Sequence, residues 1–240
     1  MLYNQVNNVK IKFIKTDPTS MFITTKQRLS VYLTLCGIIL GAVMMQAIQA
    51  STPQVPSAEE ALQFVEDLIK KGMDVANNPN ASEKDFGELL EKNFVTKEIA
   101  NFVLGTHGRG MTPEQKERFH QLYKKRLVQI YSTPEKIKTF KNTTHIINPK
   151  TTPESDGSLL VKSTFTNQST PNAQPAKVDW KIVKKDQKLF IFDILFEGIS
   201  KLLTERQDYN AIYTASDKGN NQAEKFLSYL DKEVNGSKTH

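Results

Sequence analysis

Hydrophobic and polar positions change rhythm twice along this chain. From 57 to 132 apolar residues recur every three or four places; from 137 to 196 they alternate with polar ones; past 198 the helical spacing returns. Ser57-x-x-Glu60 is a capping box, and the helix it opens carries Ala61, Leu62, Val65, Leu68, Ile69 and Met73 on one face until Asn77-Asn78-Pro79-Asn80 stops it. A second helix starts near Ser82 and presents Phe86, Leu89, Leu90 and Phe94. Thr96 is placed to cap a third, short helix with Ile99, Phe102 and Val103. After a glycine-rich connection, Thr112-Pro113-Glu114-Gln115 combines a capping threonine, proline at the first helical position and glutamine at the third. That helix runs to about Ser132 with Phe119, Leu122, Tyr123, Leu127, Ile130 and Tyr131 on one side.

The alternating region predicts strands over 137–147, 158–166, 177–184 and 189–196, and helices follow at 198–209 and 222–234. The last two strands form a hairpin around Lys185-Asp186-Gln187-Lys188, with Phe190, Phe192, Ile194 and Phe196 expected on one face. That is more apolar side chain than a sheet needs to cover a helix. It has to be buried against something, and the acyl chains of a lipid are one candidate. Helices, then an antiparallel meander, then helices give an α+β class, a helical half packed on a four-stranded sheet.

The first fifty residues belong to another pattern. A basic start at 21–28, an uncharged run over 29–45 and small residues ending at Ala50 match a cleaved secretory signal, with residues 1–20 preceding the start at Met21. An uncleaved membrane anchor is the competing reading. The export signal places residues 51–240 outside the cytoplasm as one domain. The single cysteine, Cys36, lies inside the apolar run, so the exported part has no disulfide. The leader also holds five basic residues (Lys10, Lys12, Lys15, Lys26, Arg28) against one acid (Asp17), and so carries most of the chain's net charge of +6. What remains lacks the clustered basic excess of a nucleic-acid binder.

Little in the chain suggests catalysis. Gly105-Thr106-His107-Gly108-Arg109-Gly110 lacks the lysine and hydroxyl residue of a phosphate loop and reads as a helix connection, though Arg109 could meet an anionic headgroup. His107, His120 and His145 do not fall at metal-ligand spacings, so no metal is expected. Ser200 has no nucleophile-elbow context. Lys116, Arg118, Lys124, Lys125 and Arg126 make the long helix basic outside: a solvated face, or one drawn to anionic surfaces. Asp193 interrupts the apolar strand and could be a raised-pKa general base. It alternates onto the opposite face, however, where pairing with Lys181 is expected.

These pieces resemble a known family. The export signal, the Leu104-Gly105 to Gly108-Arg109 turn before the T-P-E-Q helix, the run F-H-Q-L-Y-K-K-R-L-V-Q-I-Y, and V-D-W-K-I followed by F-D-I-L-F-E-G-I-S are similar in order and spacing to MlaC proteins of the toluene-tolerance family. The resemblance implies a cone-shaped body like nuclear transport factors, with a curved sheet and an internal apolar cavity for lipid tails. It implies a periplasmic, non-enzymatic phospholipid carrier without other cofactor. Its expected partners are an inner-membrane ABC transporter complex and an outer-membrane lipoprotein-porin complex, with outer-membrane lipid asymmetry as the outcome. Phe102, Tyr123, Leu127, Ile130, Trp180, Phe192, Ile194, Phe196, Ile199 and Leu203 are the expected lining, with Arg109 at the mouth. Gly110-Met111 departs from the family, which often carries an aromatic there. Two rivals stand beside the carrier: a cone-fold enzyme using Asp193 on a small apolar substrate, and an exported adaptor that docks a partner helix and holds no ligand.

Overall fold

The computed structural model describes residues 55–133, 142–169, 174–216, 219 and 221–236, all within the compact unit Pro53–His240. The leader, the 137–141 portion of the first expected strand and the last four residues lie outside the described residues.

Local chemistry at the helix starts is as the spacing predicts. α1 (Ala58–Asn77) begins where the Ser57 hydroxyl accepts the Glu60 N–H and the Glu60 carboxylate accepts the Ser57 N–H, each at 3.2 Å. At α2 (Glu83–Asn93) the Asp85 carboxylate accepts the Ser82 N–H at 2.8 Å. α3 (Thr96–Leu104) differs from expectation: Val95 occupies the cap position and Thr96 is already helical, so no side chain caps this helix. A 3-10 turn (Gly105–Gly110) leads to α4 (Pro113–Tyr131), opened by the reciprocal Thr112–Gln115 box.

The strands are β1 (Thr143–Ile147), β2 (Thr152–Pro153), β3 (Leu159–Asn167), β4 (Ala176–Lys185), β5 (Lys188–Phe196) and β6 (Ile199–Ser200). They form one antiparallel sheet ordered β1-β3-β4-β5-β6, with β2 also on β3. The sheet therefore has six strands rather than four, because β2 and β6 are two residues each and too short to register as alternation. β6 also takes Ile199 and Ser200, the second and third residues of what the spacing suggested was helix. α5 (Lys201–Ala215) starts after Ser200, whose hydroxyl accepts the Leu203 N–H at 2.9 Å, and α6 (Gln222–Gly236) ends the described chain.

One irregularity decides where the aromatic strand points. Lys181 pairs with Asp193 but Ile182 pairs with Ile191, so Phe192 has no partner on β4 and forms a bulge. The insertion shifts the alternation by one. Phe190 and Phe192 then pack with the helical cluster, while Ile191 and Ile194 join the cluster on the other side. The expected single face of Phe190, Phe192, Ile194 and Phe196 is thus split, and Phe196 at the strand end is exposed.

Two apolar clusters result. In one, α1 lays Ala61, Val65, Leu68 and Ile69 on Leu159, Val161, Ile182 and Ile191 of the sheet. Lys184–Glu60 (3.0 Å) and His145–Glu66 (3.1 Å) hold the helix edges. The other gathers α3, α4, α5 and α6 around Phe119, whose ring lies within 6 Å of Tyr123, Tyr209 and Phe226. Aromatic pairs of this kind contribute about 0.5–1.5 kcal/mol each beyond the area they bury.

Candidate functional site

The two clusters do not close on each other. Between them is a pocket of about 230 Å³. Leu68, Ile69, Gly72 and Met73 of α1 and Phe86, Leu89 and Leu90 of α2 form one wall. Ile99, Tyr123, Leu127 and Tyr131 form a second, and Phe165, Trp180, Phe192 and Ile194 of the sheet the third. Gly72 widens the α1 wall, since a side chain there would point to Leu89, 4.0 Å from an added Cβ. Trp180 keeps its polar atom off the lining: Nε1 donates to Ser163 Oγ at 2.9 Å, and that hydroxyl donates to the Val178 carbonyl at 2.7 Å.

Charge enters from β5 and α5 alone, as Asp193, Lys201 and Glu205. Glu205 is 8% exposed. It accepts a short hydrogen bond from the Tyr123 hydroxyl and lies 3.5 Å from Lys201 Nζ. Burial, and then the Glu205 charge, push the Tyr123 phenol far above its ordinary range and that of Tyr131 up to about 12, so both stay protonated donors. Asp193 is not paired with Lys181. It accepts the Ile194 N–H (2.8 Å), the Leu202 N–H (3.0 Å) and the Ser200 hydroxyl (2.5 Å), which makes it part of the start of α5. Lys181 instead meets Asp156 at 2.7 Å.

Of the expected lining, Tyr123, Leu127, Trp180, Phe192 and Ile194 reach this pocket. Phe102 stands behind Phe192, ring edge to face at 5.9 Å, with the Arg206 guanidinium 4.8 Å above it. Ile130 is half-buried on α4 away from the lining. Phe196, Ile199 and Leu203 are 57%, 67% and 53% exposed: Phe196 and Ile199 pair across the tight Glu197-Gly198 turn at the edge of the sheet, and Leu203 lies in the first turn of α5. Arg109 is exposed in the 3-10 turn and does not line the pocket. At that turn the cation in contact is Arg206, whose guanidinium lies 3.2 Å from where a Cβ on Gly105 would be. Gly105 has φ of +58°, and it lets a cation close onto the C-terminal end of α3.

The walls from α1 and α2 went unrecognised as lining. Their apolar positions are evident in the sequence, but core and pocket faces share the same spacing. Three outer cations of α4 are tied to polar neighbours, Arg118 to Glu224 at 3.0 Å, Lys124 to Glu91 and Lys125 to Asn235, and Arg126 lies over the Tyr209 ring. His107 stacks on Tyr213 and contacts Asn210 at 2.7 Å. Among the described residues no group of three His, Cys, Asp or Glu is placed to hold a metal ion.

The family model for MlaC protein matches residues 59–229, well over half of the chain. The chain belongs to the MlaC family. Among solved structures, a phospholipid-binding protein from Ralstonia solanacearum, in complex with a phospholipid, is similar with a TM-score of 0.59 and 16% identity. The match covers 72% of this chain and 96% of that one. At that identity the likeness shows the fold. No curated protein matches the chain. In this MlaC chain the pocket draws on all of the first four helices, the sheet and the start of α5, all inside the matched span.

Proposed function

We propose that this MlaC-family chain is a non-enzymatic phospholipid carrier. It is exported by its leader and moves lipid across the periplasm between an inner-membrane ABC transporter complex and an outer-membrane lipoprotein-porin complex, keeping the outer membrane asymmetric. Its body is then a cone of the nuclear-transport-factor kind, with acyl chains enclosed between α1–α2 and the sheet. The observation that carries this reading is the pocket between the two clusters, apolar on three walls and charged only where β5 meets α5. A methylene moved out of water gains about 0.8 kcal/mol, so such walls hold acyl chains without any directional bond. The neighbour with bound phospholipid supports the same ligand class.

The pocket, at about 230 Å³, falls below the roughly 300–1,000 Å³ of ordinary ligand sites. A lipid would have to part the clusters, displacing wall side chains that are only half-buried, such as Met73, Leu89 and Leu90. Tyr123, Leu127, Trp180, Phe192 and Ile194 would then touch the acyl chains. The Asp193 enzyme has less support, since both oxygens of that carboxylate accept hydrogen bonds from its own chain.

Native mass spectrometry of the exported protein, repeated after solvent extraction, tests the reading. A bound mass that extracts as phospholipid, about one per chain, is the expected result. A clean apo mass that persists after incubation with lipid vesicles would overturn it in favour of the ligand-free adaptor.

A further inference from the structure

The charged end of the pocket contains a bond that can be exchanged. Lys201 opens α5 with its side chain 47% exposed and is the one exposed residue among the lining. Its Nζ is 3.5 Å from Glu205 Oε1, a long pair, while the other Glu205 oxygen accepts a hydrogen bond from the Tyr123 hydroxyl. Asp193 takes no part, its oxygens being committed to Ser200 and to the backbone of Ile194 and Leu202. Tyr131 adds a protonated hydroxyl to the same lining.

Given the carrier reading above, on which this inference rests, we infer that Lys201 and Glu205 form a headgroup subsite selective for a phosphodiester bearing a primary ammonium group. The charges decide it. A headgroup phosphate draws Lys201 away from Glu205. A buried carboxylate stripped of its cation is costly, so the exchange balances only if the incoming headgroup supplies a replacement. An ethanolamine-type ammonium does so and donates hydrogen bonds to Oε1. A glycerol headgroup brings the phosphate charge alone. A choline headgroup brings a cation with no N–H to donate, and it seeks aromatic faces rather than a carboxylate.

The test is loading from vesicles of equimolar phosphatidylethanolamine, phosphatidylglycerol and phosphatidylcholine with matched acyl chains, followed by extraction and quantitation. The wild type is expected to enrich phosphatidylethanolamine over each of the others by about two- to fivefold, the range a partly exposed ion pair provides. Lys201→Gln removes the phosphate's cation and leaves Glu205 to the incoming ammonium alone, so it lowers the lipid-free melting temperature and the total lipid bound while keeping the preference for phosphatidylethanolamine. Glu205→Gln keeps an acceptor for Tyr123 and moves the mixture toward phosphatidylglycerol. Lys232→Gln, on the exposed side of α6, keeps the wild-type ratio. Bound lipid in vesicle proportions, enrichment of either other lipid by the wild type, or an unchanged ratio in a folded Glu205→Gln would overturn the subsite and leave the carrier standing. No lipid bound at all would overturn both.

Discussion

A carboxylate beside an apolar pocket is tolerable only when donors surround it, and Asp193 and Glu205 meet that need in different ways. Asp193 uses backbone N–H groups and a hydroxyl that belong to the fold. Glu205 uses a buried phenol and an exposed lysine. The cross-strand pairing of Asp193 with Lys181 could be read from alternation, and their backbones are indeed partners. The free donors of a helix turning back against the strand could not. Lys181 spends its charge on Asp156 instead. Burial would raise that carboxyl, but Lys181 and the Ser158 donors outweigh it and bring it to about 2. A folded pKa below the unfolded value of about 3.9 gives stability that is complete above pH 4 and disappears as pH falls toward 2. Asp156→Asn should therefore lower Tm at neutral pH, with the gap to wild type closing between pH 4 and 2; a gap constant with pH would contradict the pairing. At the pocket itself, Ile194→Trp should reduce bound lipid several-fold with little change in Tm. If the space were already filled, overpacking would cost about 1–3 kcal/mol in thermal unfolding.

At the scale of elements, the helices were legible because each start carries its chemistry in order, as at Ser57–Glu60 and Thr112–Gln115. The sheet was legible only in outline. A single unpaired residue, Phe192, reverses which face follows it, and a period of two contains no sign of it when both faces are apolar. The same blindness hid the exposure of Phe196, Ile199 and Leu203. The β4–β5 turn is strained: Asp186 and Gln187 have φ of +48° and +64°, a left-handed pair that usually contains glycine. Gln187→Gly should relieve the αL cost by more than it adds in chain entropy, a net gain of about 0.5–1 kcal/mol. Denaturant titration would show the midpoint moving up with an unchanged slope; a lower midpoint would mean the Gln187 side chain contributes more than its backbone costs.

Across the whole molecule, the candidate site is the gap left between two packed clusters, one built on the sheet and one among the helices, that share Phe94. The family membership and fold class were legible because they reside in the order of elements. The pocket was half legible, since Tyr123, Leu127, Trp180, Phe192 and Ile194 were among the lining that the family resemblance implied while α1 and α2 look like any amphipathic helices. A ligand bridging both clusters should couple them. Differential scanning calorimetry is expected to give a higher Tm with lipid than without, by an amount that grows with ligand excess. Equal Tm values at saturating lipid would mean that the folded protein does not bind it.

On the carrier reading proposed above, a protein whose interior is completed by its ligand has two lifetimes. Empty, the gap of about 230 Å³ between the clusters leaves wall side chains without partners, and local opening there is easier than in a filled interior. Loaded, the cargo supplies those partners. A protease that cuts only opened chains would then clear unloaded molecules first, leaving a population richer in ligand than the one it began with.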